Sequence, residues 1–243
     1  MELQGKTALV TGGGIRLGRA FALALARDGV NLAVHYNRSS EPAQETVHLA
    51  QSFGVDAIAV GADFNNLPDA MGLFPRVLEH FTHVDILINN AAIFLKSSGL
   101  ETDVETWESQ FRINLQVPFF LTQAFAQQLP QDQSGSVLNI TDARIIKNKT
   151  DHFAYFLTKK SLLDMTRLFA KELAPSITVN ALGLGFMLPL AEDEEADLEG
   201  HIRNNIPLAR TGSPEIAAEN ALHLIRSEFT TGAFLRIDGG QFL

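Results

Sequence analysis

The sequence predicts an α/β chain built as a single domain, a doubly wound parallel sheet of about seven strands with helices on both faces. Three observations predict it. Short apolar runs alternate with helical stretches from one end of the chain to the other. The runs are apolar throughout rather than every second residue, the signature of parallel strands covered on both faces. No repeat, low-complexity linker or shift in composition divides the 243 residues, so the domain spans 1–243.

Taken in order, residues 7–11 form the first strand and stop at glycines. A helix follows, with Leu17, Ala20, Phe21, Ala24 and Leu25 at offsets of three and four, and Gly29 closes it. Residues 32–36 are the second strand, 41–53 a helix ended by Gly54, and 55–60 the third strand. Residues 67–81 read as one helix and 84–88 as the fourth strand. A further helix lies within 104–129, ended by Pro130. Residues 136–140 are the fifth strand, 151–173 a helix, and 177–179 the sixth strand. Residues 186–205 read as irregular and acidic. Pro214 suits the first position of a helix reaching Ile225, and 233–237 is the seventh strand. Right-handed crossovers then give a sheet with a topological switch point.

Composition removes several function classes. The absence of Cys excludes disulfides, thiolate metal sites and Cys nucleophiles, and no metal site is expected. A net charge of −9 argues against a duplex nucleic-acid binder, which needs a basic face. No apolar run approaches the ~18 residues of a membrane span, and the N-terminus lacks a secretory pattern. A cytoplasmic protein acting on a small molecule, with no membrane partner, is expected. Residues 192–199 hold six acids and no base. A solvated edge is the expected reading, and a mobile lid the sharper one.

Between the first strand and the first helix lies Thr11-Gly12-Gly13-Gly14-Ile15-Arg16-Leu17-Gly18. Glycines there let the backbone turn sharply and approach a pyrophosphate, while the helix N-terminus supplies free N–H groups. Gly18 would allow close packing of helix on strand. The second strand ends in His35-Tyr36-Asn37-Arg38-Ser39, with no acid before Glu41. An NAD site usually places a carboxylate there for the ribose hydroxyl. Arg38 and Ser39 suit a 2′-phosphate instead, so NADPH/NADP+ is the expected cofactor.

Tyr155 and Lys159 are four residues apart and share one helix face. The chain has only two tyrosines, so the pairing carries weight. Free tyrosine titrates near ~10. A neighbouring ammonium lowers that by ~1–3 units, which would let Tyr155 give a proton to a carbonyl or imine. Lys159 could also hold the nicotinamide ribose.

These residues resemble the short-chain dehydrogenase/reductase family. The resemblance covers nearly the whole chain and extends to Asp63, Asn89-Asn90-Ala91-Ala92, Asn114, Asn180-Ala181-Leu182-Gly183 and Asp238-Gly239-Gly240. It implies a Rossmann-type fold and a homodimer or homotetramer. It assigns Asp63 to the adenine, and Asn90, Ala91, Ala92 and Gly185 to the cofactor. It also assigns Asn114 to a proton relay through Lys159.

Three departures narrow the resemblance. Arg16 stands where most members have glycine, Asp142 where most have a serine thirteen residues before the tyrosine, and Leu184 where a proline is usual. The first two, and the His35–Ser39 segment, are shared with the pteridine reductase subgroup. In that subgroup an aromatic residue after the Asn-Asn-Ala motif stacks on the pterin, and Phe94 is similar. Leu184 has no such parallel. The resemblance thus implies a pterin- or folate-like C=N bond as substrate. Asp142 and Tyr155 would work in proton transfer, Phe94 would stack on the ring, and Arg16 would meet the cofactor phosphates and a substrate oxygen. Since Asp142 and Tyr155 would be coupled, reduction is expected to favour mildly acidic pH. A generic carbonyl reductase acting on a 3-oxoacyl, ketone or sugar substrate is the alternative. A non-catalytic NADPH-binding sensor is a third, opposed by the intact Tyr155/Lys159 pair. Residues 184–205 are read as the substrate loop.

Overall fold

Strand β1, Thr7–Val10, is fully buried and lies inside the sheet, with a strand on either side. The computed structural model describes residues 1–188 and 198–243. The other strands are β2 (Asn31–Tyr36), β3 (Ala57–Gly61), β4 (Ile86–Asn89), β5 (Gly135–Asp142), β6 (Ile177–Leu184) and β7 (Phe234–Ile237). All described pairings are parallel, in the order β3-β2-β1-β4-β5-β6-β7. The chain leaves β1 toward β2 on one side and reaches β4 on the other, so the switch point opens between β1 and β4. Val10 pairs with both Val34 and Ile88, which brings the turns after β1, β2 and β4 to one edge.

Helices α1 (Arg16–Arg27), α2 (Ser40–Gln51) and α9 (Pro214–Arg226) cover one face, where Phe21, Leu25, Val47, Leu224 and Ile225 are buried. Helices α3 (Leu67–Met71), α4 (Leu73–Leu78), α5 (Val104–Phe111), α6 (Val117–Gln128) and α7 (Phe153–Glu172) follow in order. Phe74, Val77, Leu121, Phe125, Leu162 and Phe169 fill the opposite face from α4, α6 and α7. Helix α8, Leu198–Asn205, precedes α9.

Four expectations differ from the structure. The single helix over 67–81 is two helices, restarting after Gly72. The restart places Pro75 in a first turn, where its missing N–H costs nothing. The helix within 104–129 contains a π-helical turn, Arg112–Gln116. Pro118 has no N–H to give the carbonyl of Asn114, so the regular α ladder fails there and the turn widens. Strands β5 and β6 run on past 140 and 179, paired residue for residue to Asp142↔Leu184. Finally, 186–205 is not wholly irregular, because α8 occupies its end. Residues 189–197, most of the acidic run, lie outside the described residues, and so do the solvated-edge and lid readings of it. Among the described residues no helix is long and apolar enough to cross a membrane, and no His/Cys/Asp/Glu group could hold a metal ion.

Candidate active site at the switch point

A cavity of about 680 Å³ opens at the carboxyl edge between β1, β2 and β4. It is lined by Gly12, Arg16, Leu17 and Gly18 from the first turn, and by His35, Tyr36, Asn37, Arg38 and Ser39 from the end of β2. Asn90, Ala91, Ala92 and Phe94 line it from the segment after β4. These are most of the residues expected to hold a dinucleotide. Asp63, Tyr155, Lys159 and Gly185 are not among them. Asp63 Oδ1 instead accepts from Asn37 Nδ2 at 3.3 Å and from the Asn65 amide at 2.9 Å, tying the loop after β3. At Gly185 a Cβ would lie 2.7 Å from Asp238 Cα, so its bareness serves the close approach of the chain after β7.

The glycine turn is held tightly. A Cβ on Gly18 would collide with the Gly12 carbonyl oxygen, so α1 sits directly on the turn. Asn90 Nδ2 donates to the Thr11 carbonyl at 2.8 Å and to the Gly12 carbonyl at 3.3 Å. Thr11 Oγ1 accepts from the amides of Asn90 and Ala91 at 2.9 and 3.0 Å. Arg16 has φ +50, the left-handed region where glycine is free and other residues cost ~1–3 kcal/mol. Glycine, which the resemblance would place here, would take this conformation freely.

His35 is a fastener as well as a lining residue. Its Nδ1 accepts from the Gly12 amide at 3.1 Å, and its Nε2 faces the Ala62 carbonyl at 3.0 Å. The ring stacks on Phe64 at 4.1 Å. Two partners of that kind require the neutral tautomer with the proton on Nε2. Burial pushes its pKa down to about 4, which keeps that tautomer at neutral pH. The Gly12 amide is therefore spent on His35 rather than aimed into the cavity.

Beside this cavity lies the tyrosine. Tyr155 Oη donates to Asp142 Oδ2 at 3.2 Å, because α7 places the ring against the end of β5. Burial first, and the Asp142 charge second, raise the Tyr155 pKa well above its ordinary value. This direction is opposite to the expected lowering by Lys159. Lys159 points its Nζ to the Ile140 carbonyl at 2.9 Å and stands 5.9 Å from the Tyr155 ring centre. Burial lowers its own pKa to about 8. Asn114, on the π turn, exchanges hydrogen bonds with the Ile93 backbone at 2.9 Å both ways and donates to Thr158 Oγ1 at 3.3 Å. Its side chain thus braces the segment carrying Phe94 rather than contacting Lys159.

Sequence reasoning missed two residues here. Arg144 donates to both Asp142 oxygens, through its amide (2.7 Å), Nε (3.1 Å to each) and Nη2 (2.8 Å). Its guanidinium also lies 5.0 Å from the Phe94 ring centre and 5.4 Å from that of Phe156. His152 stacks on Phe94 with centroids 4.0 Å apart and planes 8° apart. The Phe94 ring expected to receive a flat substrate therefore already carries a ring against it. Both residues sit within thirteen positions of Tyr155, and an arginine two positions from a candidate carboxylate was the available signal.

Known proteins resemble this chain over nearly its whole length. A family model described as Enoyl-(Acyl carrier protein) reductase matches residues 14–241. A 3-oxoacyl-[acyl-carrier-protein] reductase of Synechocystis sp. is 33% identical over 99% of this chain and 98% of its own. Among solved structures, FolM alternative dihydrofolate reductase 1 from Brucella canis, complexed with NADP, superposes with a TM-score of 0.92. It is 31% identical, over 99% of this chain and 96% of that one. A short chain dehydrogenase from Burkholderia cenocepacia, in complex with NADP, has a TM-score of 0.92 and 29% identity, over the full length of both chains.

Proposed function

The chain belongs to the short-chain dehydrogenase/reductase family, and from that premise we propose that it is an NADPH-dependent reductase of a pterin- or folate-like C=N bond. The observation that carries the reading is the hydrogen bond from Tyr155 Oη to Asp142, a carboxylate where a serine hydroxyl would serve a ketone. The NADP-bound Brucella structure, described as an alternative dihydrofolate reductase, supports it.

The cofactor fits the residues present. The turn from Gly12 to Gly18 is a cradle that a single Cβ would fill, and Arg38 and Ser39 line the same cavity. Arg38 and Ser39 would hold the 2′-phosphate, Arg16 and the start of α1 the pyrophosphate, and Lys159 with Asn90 the nicotinamide half. When bound, NADPH supplies the hydride that the substrate carbon accepts. The chain supplies the matching proton. Tyr155 gives it from Oη to the substrate nitrogen, and the phenolate left behind is reprotonated from solvent by way of Lys159. Asp142 takes part by holding the Tyr155 hydrogen bond. The ammonium of Lys159 is present below about pH 8 and lost above it, so reduction falls as pH rises through that value.

The Synechocystis relative, a 3-oxoacyl reductase, supports carbonyl reduction as the second reading. Assembly into a homodimer or homotetramer belongs to the same proposal. Trp107, Phe119 and Leu168, exposed on α5, α6 and α7, support it.

Asp142→Ser tests the substrate class. The serine restores a carbonyl-orienting hydroxyl and removes the carboxylate. The ratio of kcat/KM for diacetyl to that for 7,8-dihydrobiopterin is expected to rise at least ~10-fold, the size of one modest transition-state contact. A ratio within twofold of wild type would show that Asp142 does not select the substrate.

A further inference from the structure

Asp142 is buried at the end of β5, 5% exposed, between α7 and the turn Ala143–Ile146. The charged and titratable groups that face it are Arg144 from that turn and Tyr155 and Lys159 from α7. Arg144 in turn faces Asp151 and His152 at the start of α7. Its guanidinium is fixed by packing as well as by charge, because it lies against the rings of Phe94 and Phe156. A planar fork held in that way matches a carboxylate through two oxygens at once.

The consequence concerns the proton. A carboxylate with no counter-charge would grip the Tyr155 hydroxyl strongly and oppose its release. A carboxylate whose two oxygens already accept from a guanidinium grips it less.

We propose that Arg144 is a positioning residue for the proton donor: it holds Asp142 with both oxygens engaged, so that Asp142 orients Tyr155 and passes no proton itself, without holding the Tyr155 proton too tightly. This rests on the reading that Tyr155 is the donor. It departs from the expectation that Asp142 itself works in proton transfer with Tyr155. Arg144 acts through Asp142 and transfers nothing.

The test is the pH profile of kcat in Arg144→Gln, Arg144→Met and Arg144→Lys, measured from pH 5.5 to 7.5 at saturating NADPH. Two arms are run, 7,8-dihydrobiopterin and diacetyl, so that a wrong substrate class does not silence the assay. Both neutral variants are expected to lose ~10–100-fold in kcat at pH 7.5. Activity should recover toward pH 5.5, as the unaccompanied carboxylate takes up a proton and releases Tyr155. Arg144→Lys keeps the charge and should lack that added limb. KM for NADPH should stay within about twofold in all three, since Arg144 is not among the cavity-lining residues, and that value certifies the fold. A merely structural role would scale kcat without a new limb. Neutral variants with the wild-type profile, or Arg144→Lys behaving like Arg144→Gln, would overturn the proposal. Tyr155→Phe runs beside them. If it turns over normally, the donor assignment fails. If it is inactive while Arg144→Gln keeps the wild-type profile, the role of Arg144 alone fails.

Discussion

Replacing Tyr155 by Phe is expected to lower kcat by ~10²–10⁴-fold, the usual worth of a positioned general acid. NADPH binding should stay nearly intact. The expectation follows from where the hydroxyl sits. Tyr155 is 8% exposed, its ring packs edge-on to Phe94 at 4.6 Å, and its Oη reaches Asp142. Phenylalanine keeps that packing and removes only the oxygen. The Asp142 carboxylate retains Arg144, so no buried charge is left unpaired and the fold should tolerate the change. Single-turnover rates and fluorescence titration with NADPH separate the two effects. Full turnover in Tyr155→Phe would remove the catalytic assignment. Nearly normal chemistry with lost NADPH binding would recast the residue as a cofactor contact.

Gly18→Ala is expected to be as damaging, by a different route. The new methyl would meet the Gly12 carbonyl and crowd Asn90 Nδ2, 2.7 Å away. Neither is the free end of a flexible chain. Helix α1 would have to back away from the turn, breaking the Asn90 bonds to the Thr11 and Gly12 carbonyls. Overpacking of this kind costs ~1–3 kcal/mol, and backbone obstacles put it at the upper end. Since ~1.4 kcal/mol is tenfold in affinity, NADPH Kd should rise ~100-fold. The same titration measures it. An unchanged Kd would mean that the turn is not the cofactor's cradle.

Much of this was legible in the sequence, for identifiable reasons. The strands are legible because burial on both faces leaves unbroken apolar runs, as in Ile86-Leu87-Ile88. The end of β5 is not, because Thr141-Asp142 is polar and joins the strand only by pairing with Gly183-Leu184. The π turn leaves the composition of a helix unchanged, so only Pro118 hints at it. Tyr155 and Lys159 are legible because a four-residue spacing fixes one helix face. Arg144 is not, because its contact with Asp142 depends on a short turn folding back. The stack of His152 on Phe94 depends on a pairing of Ser97 with His152, far apart in sequence. The close packing of α1 at Gly18 is legible in the glycine spacing, but the capture of the Gly12 amide by His35 depends on the register of β1 on β2.

Steady-state NADPH oxidation by the wild-type protein, with 7,8-dihydrobiopterin and with diacetyl side by side from pH 5.5 to 9, tests the substrate class and the proton chemistry together. Turnover of the dihydropterin is expected, declining as pH rises through about 8, where Lys159 loses its proton. Efficient reduction of the diketone with no reduction of the pterin at any pH would contradict that expectation.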